Sequence, residues 1–95
     1  MTNKMKALIH AHSDFVAVAT DDIAKDEEIV AVFMDDGKEI SVRGREAIPL
    51  GHKIALRNVK EGDKVIEYGE IIGKATQNIA TGDHVHIHNL KSLRW

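Results

Sequence analysis

Gly82-Asp83-His84-Val85-His86-Ile87-His88-Asn89 opens on a turn-forming pair and then alternates imidazoles with β-branched side chains, the two-residue period of a half-buried strand. Extended backbone would turn Val85 and Ile87 to a core and set His84, His86 and His88 on the opposite face. Alternate residues of a strand stand roughly 6.6 Å apart, whereas metal–nitrogen bonds of about 2.0–2.1 Å demand ligand atoms that converge. One ion therefore does not take all three imidazoles. Two neighbours could share an ion if other groups completed its shell, leaving the third as acid, base or substrate contact. Spacing alone equally allows three solvated residues, or three that cover a subunit interface.

The rest of the chain has the same grain. Short apolar alternations broken by Gly and Asp predict strands over residues 6–10, 15–20, 28–34, 39–43, 52–56, 64–67, 71–74 and 84–88, with no long amphipathic helix. Asp35-Asp36-Gly37-Lys38 is a hairpin turn, because Asp and Gly tolerate positive φ. Pro49 fixes φ and disfavours helix before it, so Ile48-Pro49-Leu50-Gly51 is a loop leading into the strand at His52. Tyr68-Gly69 and Ile72-Gly73 mark turns and close backbone approach rather than chemistry.

A pattern recurs three times: Ile23-Ala-Lys-Asp-Glu-Glu-Ile29, Val59-Lys-Glu-Gly-Asp-Lys-Val65 and Ile79-Ala-Thr-Gly-Asp-His-Val85. Each is apolar, two spacers, a turn residue, an acid, a spacer, apolar. The irregular period makes this a reused turn that launches a strand, not a solenoid. The first copy has Asp26 where the others have glycine, which predicts a different turn there. Short strands joined by such turns imply a folded-over sheet, or alternatively a β-barrel.

With 95 residues and 43% hydrophobic content, the chain makes one domain, residues 1–95, too small for a deep self-contained cleft. A formal charge of −2 from 13 basic and 15 acidic residues, well mixed, offers no basic stripe for nucleic acid and no polybasic membrane segment. Four aromatic residues make no base-stacking platform. The absence of cysteine removes disulfides, thiolate metal sites and thiol nucleophiles, which suits a cytoplasmic protein. The start Met-Thr-Asn-Lys-Met-Lys is not a signal peptide, and no stretch approaches a membrane span. No phosphate-binding glycine loop and no Ser/His/Asp constellation can be assembled.

Ile48-Pro-Leu-Gly-His-Lys-Ile-Ala-Leu56, Tyr68-Gly-Glu-Ile-Ile-Gly-Lys-Ala75 and Gly82-Asp-His-Val-His-Ile-His-Asn89, in that order, resemble the N-terminal SAF-type domain of the altronate and galactarate dehydratase family. Ile9-His-Ala-His-Ser-Asp-Phe-Val-Ala-Val18 is similar to that family's first strands. The resemblance implies a mainly β, β-clip fold of short strands with minor helical turns. In this family the domain is fused to a catalytic region or stands as a small subunit, and a chain ending at Trp95 resembles the second arrangement. It further implies a large catalytic dehydratase subunit as partner, a small hydroxy-acid substrate, and a divalent metal, Fe(II) or Mn(II). A related lyase, sulfolactate sulfo-lyase, has a similar small subunit from which sulfite rather than water leaves. A non-catalytic sugar- or metal-binding module is the third reading.

His84, His86, His88 and Asn89 match the family's terminal motif, and His52 and Lys53 its Gly-His-Lys motif. The resemblance assigns two of the three motif histidines, with His86 the central choice, to metal or proton transfer. It assigns Asn89 to orienting substrate or a histidine, and makes His52 and Lys53 catalytic candidates. Lys53 could pair with the substrate carboxylate as a compact cation. His52 shares the face of Ile54 and Leu56, so a hydrogen-bonded core histidine is its other reading. His10 and His12, on one face of the first strand, are weaker candidates.

Overall fold

All four residues of strand β2 (Val16–Ala19) and two of the three of β5 (Lys53–Ala55) are apolar, and both strands are buried on both faces. In the computed structural model, which describes residues 3–92, Val16 and Ala17 of β2 and Ile54 and Ala55 of β5 are all within 1% of full burial. Ala17 and Ile54 enter one core with Ala7, Ile9, Ile23, Ile29 and Ile48. Val16 and Ala55 enter a second with Val59, Val65, Ala75, Ile79 and Val85. Burial on two sides requires a layer on each side, and the topology supplies it.

The larger sheet has the order β4-β3-β1-β2-β5-β8, with β1 Met5–Ile9, β3 Glu28–Phe33, β4 Glu39–Arg43 and β8 His84–Val85. Only β1 and β3 run parallel; the other neighbours are antiparallel. The smaller sheet, β6-β7-β9, comprises β6 Lys64–Glu67, β7 Glu70–Ala75 and β9 Leu90–Ser92. It is tied to the larger one where Phe15 N donates to Ile66 O at 2.8 Å. Among the described residues there is no helix, so the minor helical turns expected are single hydrogen-bonded turns. The fold is mainly β, consistent with a SAF-like β-clip.

The recurring pattern is one turn used three times. Asp26, Gly62 and Gly82 occupy its fourth position with φ of 68°, 92° and 92°. The following acid donates its backbone N–H to the carbonyl three residues back in each copy: Glu27 to Ala24, Asp63 to Lys60, Asp83 to Ala80, at 2.9–3.1 Å. Asp26 was expected to change the turn and does not, because Asp is one of the few residues that enter the left-handed region at modest cost. The side chains of Glu27 and Asp83 accept from Ala24 N and Ala80 N, at 2.9 and 2.7 Å. The flanking Ile23, Ile29, Val59, Val65, Ile79 and Val85 are all core residues.

Seven of the eight expected strands occur close to their expected bounds. The last does not: β8 stops at Val85, and residues 86–89 turn. Ile87, expected in the core, is 84% exposed. The alternation lost to a local hydrogen-bond network built by Asn89, described below. That turn reverses the chain into β9, a strand the sequence reading did not contain. Met1 and Thr2 of the start and Trp95, on which the separate-subunit expectation turned, lie outside the described residues.

Candidate functional site

The loop at Pro49 delivers His52 to the start of β5: His52 N donates to Pro49 O at 3.0 Å across a turn that Gly51 closes at φ 86°. β5 pairs antiparallel with β8, Ile54 opposite His84 and Lys53 opposite Val85. Opposed residues share a face, so His84 lies on the face of Ile54 and His52. The two half-buried imidazoles meet there, His52 Nδ1 2.8 Å from His84 Nε2.

Asn89 then folds the rest of the motif back. Its Oδ1 accepts from His86 N at 2.9 Å and its Nδ2 donates to His84 O at 2.8 Å, while Asn89 N and Leu90 N both donate to His86 O. Asn89 is 3% exposed and both ends of its amide bond backbone, so it braces the histidine segment. The turn gathers the imidazoles that a strand would have kept apart. Ring centroids are 4.4 Å apart for His52 and His86, 5.4 Å for His84 and His86, and 5.3 Å for His84 and His88.

Glu46 completes the cluster, its Oε2 accepting from His84 N at 3.2 Å. It comes from the loop before β5, and no spacing in the sequence connects it to the histidines. Two donor sets result, His52/His84/His86 and Glu46/His84/His88, each with one ligand atom per residue within 4.8 Å of the others. Donors about 2.0–2.1 Å from one ion lie at most about 4.2 Å apart, so small side-chain rotations close either set. Imidazole with carboxylate suits Fe(II), and carboxylate suits Mn(II); the residues fit the metal the resemblance implies. Burial, with His52 and His88 adding to it, holds the His84 pKa below the usual histidine value, although Glu46 opposes this. A neutral imidazole keeps a nitrogen lone pair for a metal.

Lys53 is not brought to this cluster. Strand alternation sends it to the other face of β5, where its Nζ is 3.9 Å from Glu67 Oε1. His10 and His12 also part company, since β1 ends at Ile9. His10 stacks on Tyr68 and lies 3.7 Å from Glu67 Oε2. His12 stacks on Phe33 and bonds Asp36 at 2.9 Å. A cleft of about 430 Å³ lined by Ile23, Ala24, Ile48 and Pro49 is lined by none of these histidines. Among the described residues no helix is long and apolar enough to cross a membrane.

The (2R)-sulfolactate sulfo-lyase subunit alpha of Chromohalobacter salexigens is 35% identical over 93% of this chain and 95% of its own length. Its counterpart from Paracoccus pantotrophus is 42% identical over 70% of this chain and 100% of its own. The altronate dehydratase of Bacillus subtilis is 40% identical over 93% of this chain, but the match spans only 17% of that enzyme. The altronate/galactarate dehydratase SAF domain matches residues 5–93, and the chain belongs to that family.

Proposed function

We propose that this chain is the small subunit of a two-subunit, metal-dependent lyase of the altronate-dehydratase type, eliminating water from a hydroxylated sugar acid. One observation carries the reading: in a chain homologous to lyase components, a capped turn and a strand pair converge four imidazoles and a carboxylate on one edge of the sheet.

Elimination across the α and β carbons takes a weakly acidic proton beside a carboxylate and expels hydroxide, a poor leaving group. A bound Fe(II) or Mn(II) would supply Lewis acidity for the carboxylate and hydroxyl oxygens. Glu46, His84 and His88 would hold that ion as a two-histidine, one-carboxylate set. His86 and His52, stacked on each other beside it, would carry the proton as acid and base. His86 is exposed and faces outward, so the remaining groups and substrate selection come from a large catalytic subunit. Neither nucleic acid nor membrane is a partner in this reading, and the setting is cytoplasmic.

The alternative is the small subunit of a sulfolactate sulfo-lyase, favoured by matches that span nearly the whole of two such alpha subunits. Purification of the tagged chain from its native extract, with mass spectrometry of co-eluting chains and a screen of sugar acids and sulfolactate with iron or manganese, tests both. A stoichiometric larger chain with dehydratase activity supports the proposal. Sulfite release selects the alternative. A lone chain without either activity overturns both and leaves a non-catalytic module.

A further inference from the structure

The register of the smaller sheet sets three lysines in one row. Lys64 of β6 stands directly opposite Lys74 of β7, and Lys74 directly opposite Lys91 of β9. Opposed residues share a face, and here it is the solvent face: all three lysines are exposed, while Val65, Gly73 and Ala75 beside them are buried. Among the described residues none of the three makes an ion pair. Like charges directly opposite destabilise a sheet. A lysine on an edge strand guards against stray pairing, which accounts for Lys64 and Lys91 on the two edge strands but not for Lys74 between them. The chain as a whole has a formal charge of −2, so this concentration of positive charge is local. The row borders a cleft of about 350 Å³ lined by Lys74, Lys91, Thr76, Gly62, Ala75 and Glu61. Thr76 lies two residues beyond Lys74 and so on its face; its N–H is held by Asn89 O, and its hydroxyl is a further donor. Glu61, the one acid of this lining, pairs with neither lysine.

We infer that Lys64, Lys74, Lys91 and Thr76 form a binding site for a diphosphate group, free or carried by a small molecule. Adjacent strands lie roughly 4.8 Å apart, so the backbone of the row spans about 10 Å. One tetrahedral oxyanion reaches two neighbouring ammoniums, and the third calls for a second phosphoryl group. Lysine meets phosphate as a point charge on a flexible arm, so the three heads can converge without the fixed fork that arginine would impose. A monocarboxylate would neutralise one charge and leave the other two repelling each other. The cleft shares no lining residue with the histidine cluster, so the site is separate from the one that β5 and β8 build.

Two-dimensional NMR titration of the metal-free chain with inorganic diphosphate, ADP and acetate, at constant ionic strength, tests this independently of any lyase activity. The expected result is a saturable shift of the Lys64, Lys74, Thr76 and Lys91 signals by diphosphate, at least about tenfold tighter than by acetate, with His52 and His84 unmoved. Equal binding of ADP supports a site that reads the phosphates alone, and weaker binding of ADP supports the free ion. Lys74→Gln should lower diphosphate affinity about tenfold and, with no anion present, raise the denaturation midpoint by relieving the repulsion. Lys25→Gln, an exposed lysine in a turn of the larger sheet's side, should change neither. Equal affinity for diphosphate and acetate, a response shared by Lys25, unchanged affinity in Lys74→Gln, or no saturable shift at high millimolar concentration would each overturn the site and leave the lyase reading untouched.

Discussion

His52 Nδ1 lies 2.8 Å from His84 Nε2 although 32 residues separate them in the chain. The contact exists because β5 and β8 pair in a register that sets Ile54 opposite His84. His84 is also the member shared by both donor sets. His84→Ala should therefore lower metal affinity of the purified chain at least about 100-fold whichever set binds. His88→Ala should do the same, whereas His86→Ala should keep the metal and abolish lyase activity of the complex. Isothermal titration with Mn(II) reads the difference. Loss of metal in His86→Ala with retention in His88→Ala would transfer the ion to the His52/His84/His86 set.

Asn89 holds the turn from beneath, and replacing it separates position from identity. Asn89→Ala leaves His84 O and His86 N without their partners in a nearly closed environment. The expected cost is about 1–3 kcal/mol, with metal affinity falling although every ligand remains. Chemical denaturation and metal titration on the same sample check this. Unchanged stability would mean that the turn is held by Leu90 N and Asn89 N alone.

The fold was largely legible because its signals are local. Period-two alternation located seven strands, and the reused turn announced where each of three strands begins. What failed was Ile87, whose apolar side chain fits the alternation and yet stands in solvent. A single amide two residues on, through two backbone hydrogen bonds, outweighed the pattern, and nothing in a period count measures that. The candidate site was half legible for a related reason. His52 and the terminal motif could be matched, but whether Lys53 joins them depends on which face of β5 it takes beside His52. Glu46 and Glu67 carry no motif; only the register of β5 with β8 and the packing of β6 bring them to their partners.

Gly82 and Gly62 share φ 92° and differ in surroundings, which makes them a matched pair. A Cβ on Gly82 would overlap the carbonyl oxygen of Arg43, whereas one on Gly62 meets only the Lys74 Cε at 4.0 Å. Gly62→Ala should cost about 1 kcal/mol, the conformational penalty alone. Gly82→Ala should cost more than about 2 kcal/mol, because backbone must also move, and it should disturb the adjoining His84. Equal denaturation midpoints for the two variants would refute the close approach of the loop at Arg43.

Glu67 gives stability a pH dependence whose sign follows from burial. Its folded pKa is raised above the ordinary 4.5 chiefly by desolvation, with Lys53 and His10 pulling the other way and Asp14 adding to the rise. As pH climbs past the unfolded value, the unfolded chain releases this proton while the native chain still holds it. The native state then binds more protons, so rising pH removes stability until the folded pKa is passed. Glu67→Gln cannot titrate and escapes that loss. The variant should be more stable than the parent chain at neutral pH, and the advantage should shrink to nothing below about pH 4.5. Denaturant midpoints measured across that range decide it: a parent chain more stable at neutrality would mean that attraction to Lys53 and His10 outweighs the burial of the charge.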